Sequence, residues 1–259
     1  MILGRKGENV SLKIGETVQC LGSIGLIINA RRNKRRVRAK IEGRLMATLN
    51  PKGFVRRFFP TARRLLVEAD VRRWCVDEYA RVLVIGAGHD PYRTRFPSAD
   101  LYVTLDIVST PGATDVVASA LELPFQNGVF DCVVAIEIAE HVNEPLMLIK
   151  EAFRVLAPSG SLLLSVPFAF HQHADPEDYW RPTRRALEKA GADFKEVSVY
   201  PQGNRLHVMS DFSTTAFYPR SVFAPLRIIN NLLRIPFLSG ANRKNTSSAP
   251  SGHFMVAKK

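Results

Sequence analysis

Residues 81 to 167 decide what this chain can fold into. Arg81-Val82-Leu83-Val84-Ile85 is a continuous apolar strand, and Gly86-Ala87-Gly88 follows at once. Leu101 to Leu105 forms a second apolar strand that ends on Asp106, eighteen residues after Gly88. A glycine turn after one strand, with a carboxylate at the tip of the next, is how an open α/β sheet grips a nucleoside. The glycines let the backbone approach the ligand, and the acid accepts hydrogen bonds from ribose hydroxyls. Strands are expected at 82–85, 101–105, 132–136 and 161–166, with a short one at Thr114-Asp115-Val116-Val117, and helical segments separate most of them. That alternation predicts a mainly parallel sheet covered on both faces.

The order of the remaining motifs narrows the reading. Leu123-Pro124-Phe125 precedes Phe130-Asp131. Then come Glu137-Ile138-Ala139-Glu140-His141-Val142, Arg154-Val155-Leu156, and the turn Ala157-Pro158-Ser159-Gly160. This series resembles the class I S-adenosylmethionine-dependent methyltransferases, in the branch of the type 11 methyltransferases, over about half the chain. The resemblance implies a Rossmann-like, doubly wound, seven-stranded α/β sheet with an antiparallel last strand. Phe194 to Tyr200 and Gly252 to Lys259 would be the last two strands. It also implies a methyltransferase enzyme with S-adenosylmethionine as cofactor. An NAD-type Rossmann domain is the competing reading of the glycine loop, and the downstream motifs do not suit it.

Under this resemblance Gly86, Ala87 and Gly88 underlie the methionine part of the cofactor. Asp106 meets the ribose and Ile107 packs on the adenine. Ser119, Ala120 and Leu121 fall on the adenine side, and Glu137 faces the crevice at the end of the fourth strand. Three positions depart from the family pattern: Val84 replaces an acid, Asp90 replaces a third glycine, and Ser119 replaces the adenine-side acid. Asp90 is a candidate substitute for the carboxylate missing near the cofactor's amino group.

A hydroxyl acceptor needs a base, most often His or a carboxylate. His171 and His173, in the polar aromatic loop after the strand ending at Val166, are the preferred catalytic candidates, with His141 beside them. Asp178, Tyr179, Trp180 and Arg181 are candidate acceptor contacts, the rings suited to stacking. The competing reading has 179–181 pinning the loop, with Thr183 capping the next helix. No metal is required. If Glu137 begins a helix, however, Glu140 and His141 share its face and could hold a hard ion such as magnesium.

Charge divides the chain. Residues 1–80 carry 18 Lys and Arg against 7 Asp and Glu, whereas 81–259 carry 18 against 17, so almost all of the net +12 lies in the first part. We read 1–60 as a basic N-terminal appendage centred on Arg31 to Arg38, and 61–259 as the methyltransferase domain, with an insertion at about 204–250. Thr61 is placed to cap a helix running to about Tyr79. The arginine run suits RNA or an anionic membrane. Phe54, Phe58 and Phe59 and the apolar stretch 221–238 favour peripheral contact with an anionic membrane or a lipid-like acceptor. No segment has the roughly 20 apolar residues of a transmembrane helix. Cys20, Cys75 and Cys132 have neither metal-ligand nor disulfide spacing, which fits a cytoplasmic protein.

The leading expectation is therefore methylation of a small-molecule acceptor at oxygen: a glycan, lipid-linked or secondary-metabolite hydroxyl. RNA 2′-O-methylation is the alternative enzyme reading. A non-catalytic cofactor-binding or partner-recruiting module is the alternative outside catalysis.

Overall fold

The computed structural model describes residues 61–259 apart from 77, 174–176 and 216–248. The basic appendage at 1–60 and the apolar stretch 221–238 lie outside the described residues, as do Asp175 and most of the 204–250 insertion.

Seven strands form one sheet: β1 Arg81–Ile85, β2 Leu101–Asp106, β3 Val116–Val117, β4 Phe130–Ile136, β5 Leu156–Pro167, β6 Glu196–Gln202 and β7 Gly252–Lys258. Their spatial order is β3-β2-β1-β4-β5-β7-β6. The first five pair parallel, and β7 runs antiparallel to both β5 and β6. This matches the expected seven-stranded sheet with a reversed last strand. The order turns back between β1 and β4, and that switch point opens the ligand crevice at the strands' carboxyl ends.

The unbroken apolar strands follow from burial on two faces. Leu83, Ile85, Val103, Leu105, Val133 and Ala135 point to one side. There they meet Leu148, Ile149, Ala152 and Val155 of helix α2 (Pro145–Val155) and Leu187 of α3 (Arg184–Ala190). Val82, Val84, Cys132, Val134 and Phe254 point to the other side and meet Val67 and Val71 of α1 (Ala62–Trp74). The buried positions of α2 recur one, three and three residues apart, so one helical face is apolar. Fully burying a side chain such as Leu148 is worth about 1.5–3 kcal/mol.

Two motifs of the sequence prove to be one clasp. Arg154 of α2 reaches the carbonyls of Leu123 (2.8 Å) and Phe125 (2.7 Å) and the Glu151 carboxylate (2.7 Å). The Leu123 amide donates to that same Glu151 at 2.7 Å. Asp131 pairs with Arg81 at 2.6 Å and so ties the starts of β4 and β1 together.

Thr61 caps α1, as expected, accepting from the Arg64 amide at 3.3 Å. The helix stops at Trp74 rather than near Tyr79. A fourth helix, α4 (Arg205–Thr215), opens the insertion. Its Asp211 accepts from the amides of Ala62 (2.6 Å) and Arg63 (3.0 Å) and so completes the α1 cap from far along the chain.

Candidate active site

The glycine loop leaves β1 by two positive-φ residues, Gly86 at 67° and Gly88 at 50°. Gly86 has no room for a side chain: a Cβ there would lie 2.6 Å from Ile138. At Gly88 nothing lies within 4 Å of that position, so its outer side is open. Ala87 buries its methyl in the core and offers only main chain to the crevice. Asp106 is half-buried at the tip of β2. It accepts from the Gly88 amide at 2.8 Å and from the Val108 amide at 3.1 Å. The acid and the glycine loop are thus held as one unit. Ile107 and Val108, next in the chain, are 69% and 65% exposed, a free apolar surface beside the acid. Exposed aliphatics next to a carboxylate at a strand tip offer a surface that an adenine ring could cover, so these residues fit a nucleoside cofactor.

The exposed Ser119 hydroxyl accepts from the Leu121 amide at 3.1 Å, which shapes the turn carrying Ala120 and Leu121. Asp90 is buried and accepts from the Tyr102 hydroxyl at 2.7 Å. Its carboxylate is a core hydrogen-bond acceptor, not a free group beside the cofactor's amino nitrogen. Asp90 takes a positive φ of 48°, a conformation that glycine adopts at least cost.

Glu137 departs from the expected geometry. It does not start a helix. Its φ is 55°, and the following turn is a short 3-10 segment, Ala139–His141. The reversal sends Glu137 away from Glu140 and His141 and onto Arg63, which bonds it through Nε at 2.7 Å and Nη2 at 2.5 Å. Ser165 donates to the same carboxylate at 2.7 Å, and Arg63 also reaches Gln202 at 3.3 Å. Arg63 comes from α1, and its side chain is only 3% exposed. Space for it exists because residue 252 is glycine: a Cβ there would lie 1.9 Å from the guanidinium. The sequence reading did not single out Arg63.

The loop after β5 gathers the remaining candidates. The rings of His141 and His173 meet edge to face at 5.0 Å, and His171 lies 5.9 Å from His173. Burial, then neighbouring charge, lowers the pKa of both His171 and His173, so both stay neutral and able to accept a proton at neutral pH. Asp178 is bound by both terminal nitrogens of Arg181 and accepts from the His173 amide at 3.0 Å. Burial pushes the Asp178 carboxyl up, but Arg181 and that amide outweigh it and leave the group below its ordinary value. Asp178 and Arg181 therefore hold the loop's shape through each other. Trp180 packs partly buried against the core, whereas Tyr179 is 56% exposed and its amide donates to the Glu140 carbonyl at 2.7 Å. Thr183 caps α3 by accepting from the Ala186 amide.

Glu140 is fully buried, and neither of its oxygens has a hydrogen-bond partner among the described residues. Burial, then the Glu137 charge, pushes its carboxyl well up.

A family model described as "Methyltransferase domain" matches residues 95–164. Over 77 residues the chain is 32% identical to norajmaline N-methyltransferase of Rauvolfia serpentina, covering 30% of this chain and 26% of that protein. Over 93 residues it is 30% identical to the chloroplastic tocopherol O-methyltransferase of Arabidopsis thaliana, covering 31% and 27%. The chain thus spans about a quarter of the length of the curated relatives it matches. Among solved structures, a SAM-dependent methyltransferase from Archaeoglobus fulgidus superposes with a TM-score of 0.51 at 18% identity, over 80% of this chain and 98% of that one. A possible histamine N-methyltransferase from Thermotoga maritima gives 0.51 at 15% identity, over 87% and 99%. At such identities these two speak for the fold. No helix among the described residues is long and apolar enough to cross a membrane.

Proposed function

We propose that this chain carries a class I S-adenosylmethionine-dependent methyltransferase domain and methylates a hydroxyl of a small-molecule acceptor. The observation that carries this reading is the cluster of imidazoles on the loops that follow β4 and β5: His171 and His173, both kept neutral by burial, with the ring of His141 against His173. Bound S-adenosylmethionine supplies an electrophilic methyl group on a sulfonium, so the protein's task is alignment, exclusion of water and removal of one proton.

In this reading Gly86 and Gly88 admit the cofactor against bare main chain. Asp106 turns from the loop amides to the ribose hydroxyls, and Ile107 covers the adenine. Glu137, fixed by Arg63, closes the floor of the crevice. His171 or His173 takes the acceptor's hydroxyl proton as oxygen gains the methyl group. Tyr179 presents an exposed ring on which a sugar or aromatic acceptor can stack. A glycan, lipid-linked or secondary-metabolite hydroxyl suits this polar, aromatic loop.

Calorimetric titration of S-adenosylmethionine and S-adenosylhomocysteine, with Asp106→Ala alongside, tests the cofactor half. Binding that the variant loses by tenfold or more supports it. No binding to the wild type would overturn it in favour of a non-catalytic module. An acceptor screen with His171→Ala and His173→Ala tests the other half. Activity should fall on the acid side, at a pH below the ordinary histidine value of about 6.5. A variant that keeps the full rate clears that histidine of the base role.

A further inference from the structure

The geometry points to a binding site for a divalent first-row transition-metal ion formed by Glu140, His141 and His173. Each offers one ligand atom, and the three atoms lie within 4.8 Å of one another. This set replaces Glu137, which Arg63 occupies, with a histidine from a different loop.

The hydrogen-bond pattern leads to the ion. His141 Nδ1 lies 2.5 Å from the Glu177 carbonyl, which can only accept, so Nδ1 carries the proton. The neutral ring then has a bare lone pair on Nε2, and Nε2 lies 3.7 Å from Glu140 Oε1. Once Glu140 gives up its proton, two acceptors face each other, and no donor among the described residues reaches its carboxyl oxygens. His173 Nδ1 is also buried, with no hydrogen-bond partner among the described residues. It lies 3.4 Å from Asp178 Oδ2, but that carboxylate is already held by Arg181 and the His173 amide. The nearby guanidiniums are engaged elsewhere, Arg181 on Asp178 and Arg63 on Glu137. A buried carboxylate and two lone pairs converging without a donor are costly, and a cation satisfies all three together.

The ligand chemistry selects the ion. Two imidazoles with one carboxylate suit zinc, iron, manganese or cobalt better than magnesium, which prefers oxygen ligands. A proton held on Nδ1 by a carbonyl is also the usual arrangement of a metal-ligating histidine. Bonds of about 2.0–2.2 Å place neighbouring ligands roughly 3–3.5 Å apart, so the side chains close by about an ångström on binding. Three protein ligands leave coordination positions open, and an acceptor oxygen placed there would lose its proton more easily. That use of the ion rests on the methyl-transfer reading, with His171 as the base, since His173 is then a ligand. Binding of the ion does not, so failure of one is distinguishable from failure of the other.

The test is a Co²⁺ titration of the full-length, tag-free protein after EDTA treatment and dialysis, followed by visible d–d absorption and calorimetry, with Zn²⁺ as competitor. A single tight equivalent should appear. Affinity should drop at least about tenfold in Glu140→Gln and in His173→Gln, each checked for folding by circular dichroism. The surface variant Glu144→Gln should match the wild type. Glu140→Gln retains a neutral isostere, so it reports even if His173→Gln misfolds. Absence of a stoichiometric Co²⁺ site, or a site that survives Glu140→Gln, would overturn the assignment. The three side chains would then be joined by a proton, shared between Glu140 and His141.

Discussion

Breaking the Arg63–Glu137 pair from its two ends should have unequal consequences. Arg63 is 3% exposed and Glu137 29%. In Glu137→Ala the guanidinium stays buried, and Gln202, at 3.3 Å, is the remaining acceptor of its hydrogen bonds among the described residues. Arginine does not shed its proton in proteins. The cost should be that of an uncompensated buried charge, about 3–5 kcal/mol. In Arg63→Met the remaining carboxylate keeps the Ser165 hydrogen bond and reaches water, so solvent screens it. A loss of about 1–2 kcal/mol is expected there. Methionine fills much of the vacated volume. The double variant should be less damaged than the sum of the two, by about 1–3 kcal/mol. Urea denaturation of the four proteins at pH 7 measures all these terms. Equal single-variant costs, or additivity within about 0.5 kcal/mol, would refute the claim that a buried guanidinium with one principal partner dominates this corner of the fold.

Other perturbations have equally definite outcomes. Gly86→Ala combines a positive φ with a clash against Ile138 and should destabilise by roughly 3 kcal/mol. Gly88→Ala meets open space, so it should cost only about 1–2 kcal/mol while weakening cofactor affinity far more, as thermal melts and calorimetry would show. Burial and the Arg63 charge lower the His253 pKa to about 4, while burial raises that of Asp211 to about 6. The neutral histidine makes stability fall as pH drops from about 6.5 towards 4; the raised acid makes it fall as pH rises from about 4 to 6. The two slopes oppose each other in the wild type, so Asp211→Asn should show a steeper loss on acidification in melts between pH 4 and 6.5. Burial lifts the Cys75 thiol to about 12 and the Cys132 thiol well above its ordinary value, so neither should react with a thiol reagent until the protein is unfolded.

The parts of this molecule legible in the sequence are those set by local pattern. Apolar runs marked β1, β2 and β4, the distance from Gly88 to Asp106 marked the nucleoside end, and Thr61 and Thr183 marked two helix starts. What escaped depended on distant partners. Arg63 is one of several arginines on α1, and nothing around it distinguishes it from Arg64. Its burial depends on the missing side chain of Gly252 and on Glu137. The helix expected from Glu137 failed because a non-glycine residue adopts positive φ there, held by an ion pair rather than by local preference. The convergence of Glu140 and His141 with His173 was hidden for a related reason, since it joins two loops through the parallel pairing of β4 and β5.

The placement of β7 has a consequence for how this molecule comes into being. Among the described residues β6 pairs only with β7, and β7 also supplies Gly252, against which Arg63 rests. A ribosome delivers β1 to β6 first, yet β6 must wait, unpaired, until residues 252–258 emerge. For that interval β5 presents an open, apolar edge, and the Arg63 corner is unfinished. The slow step of folding should be this late insertion between two strands already made, and the exposed edge of β5 is where a nascent chain would meet a chaperone or a second copy of itself.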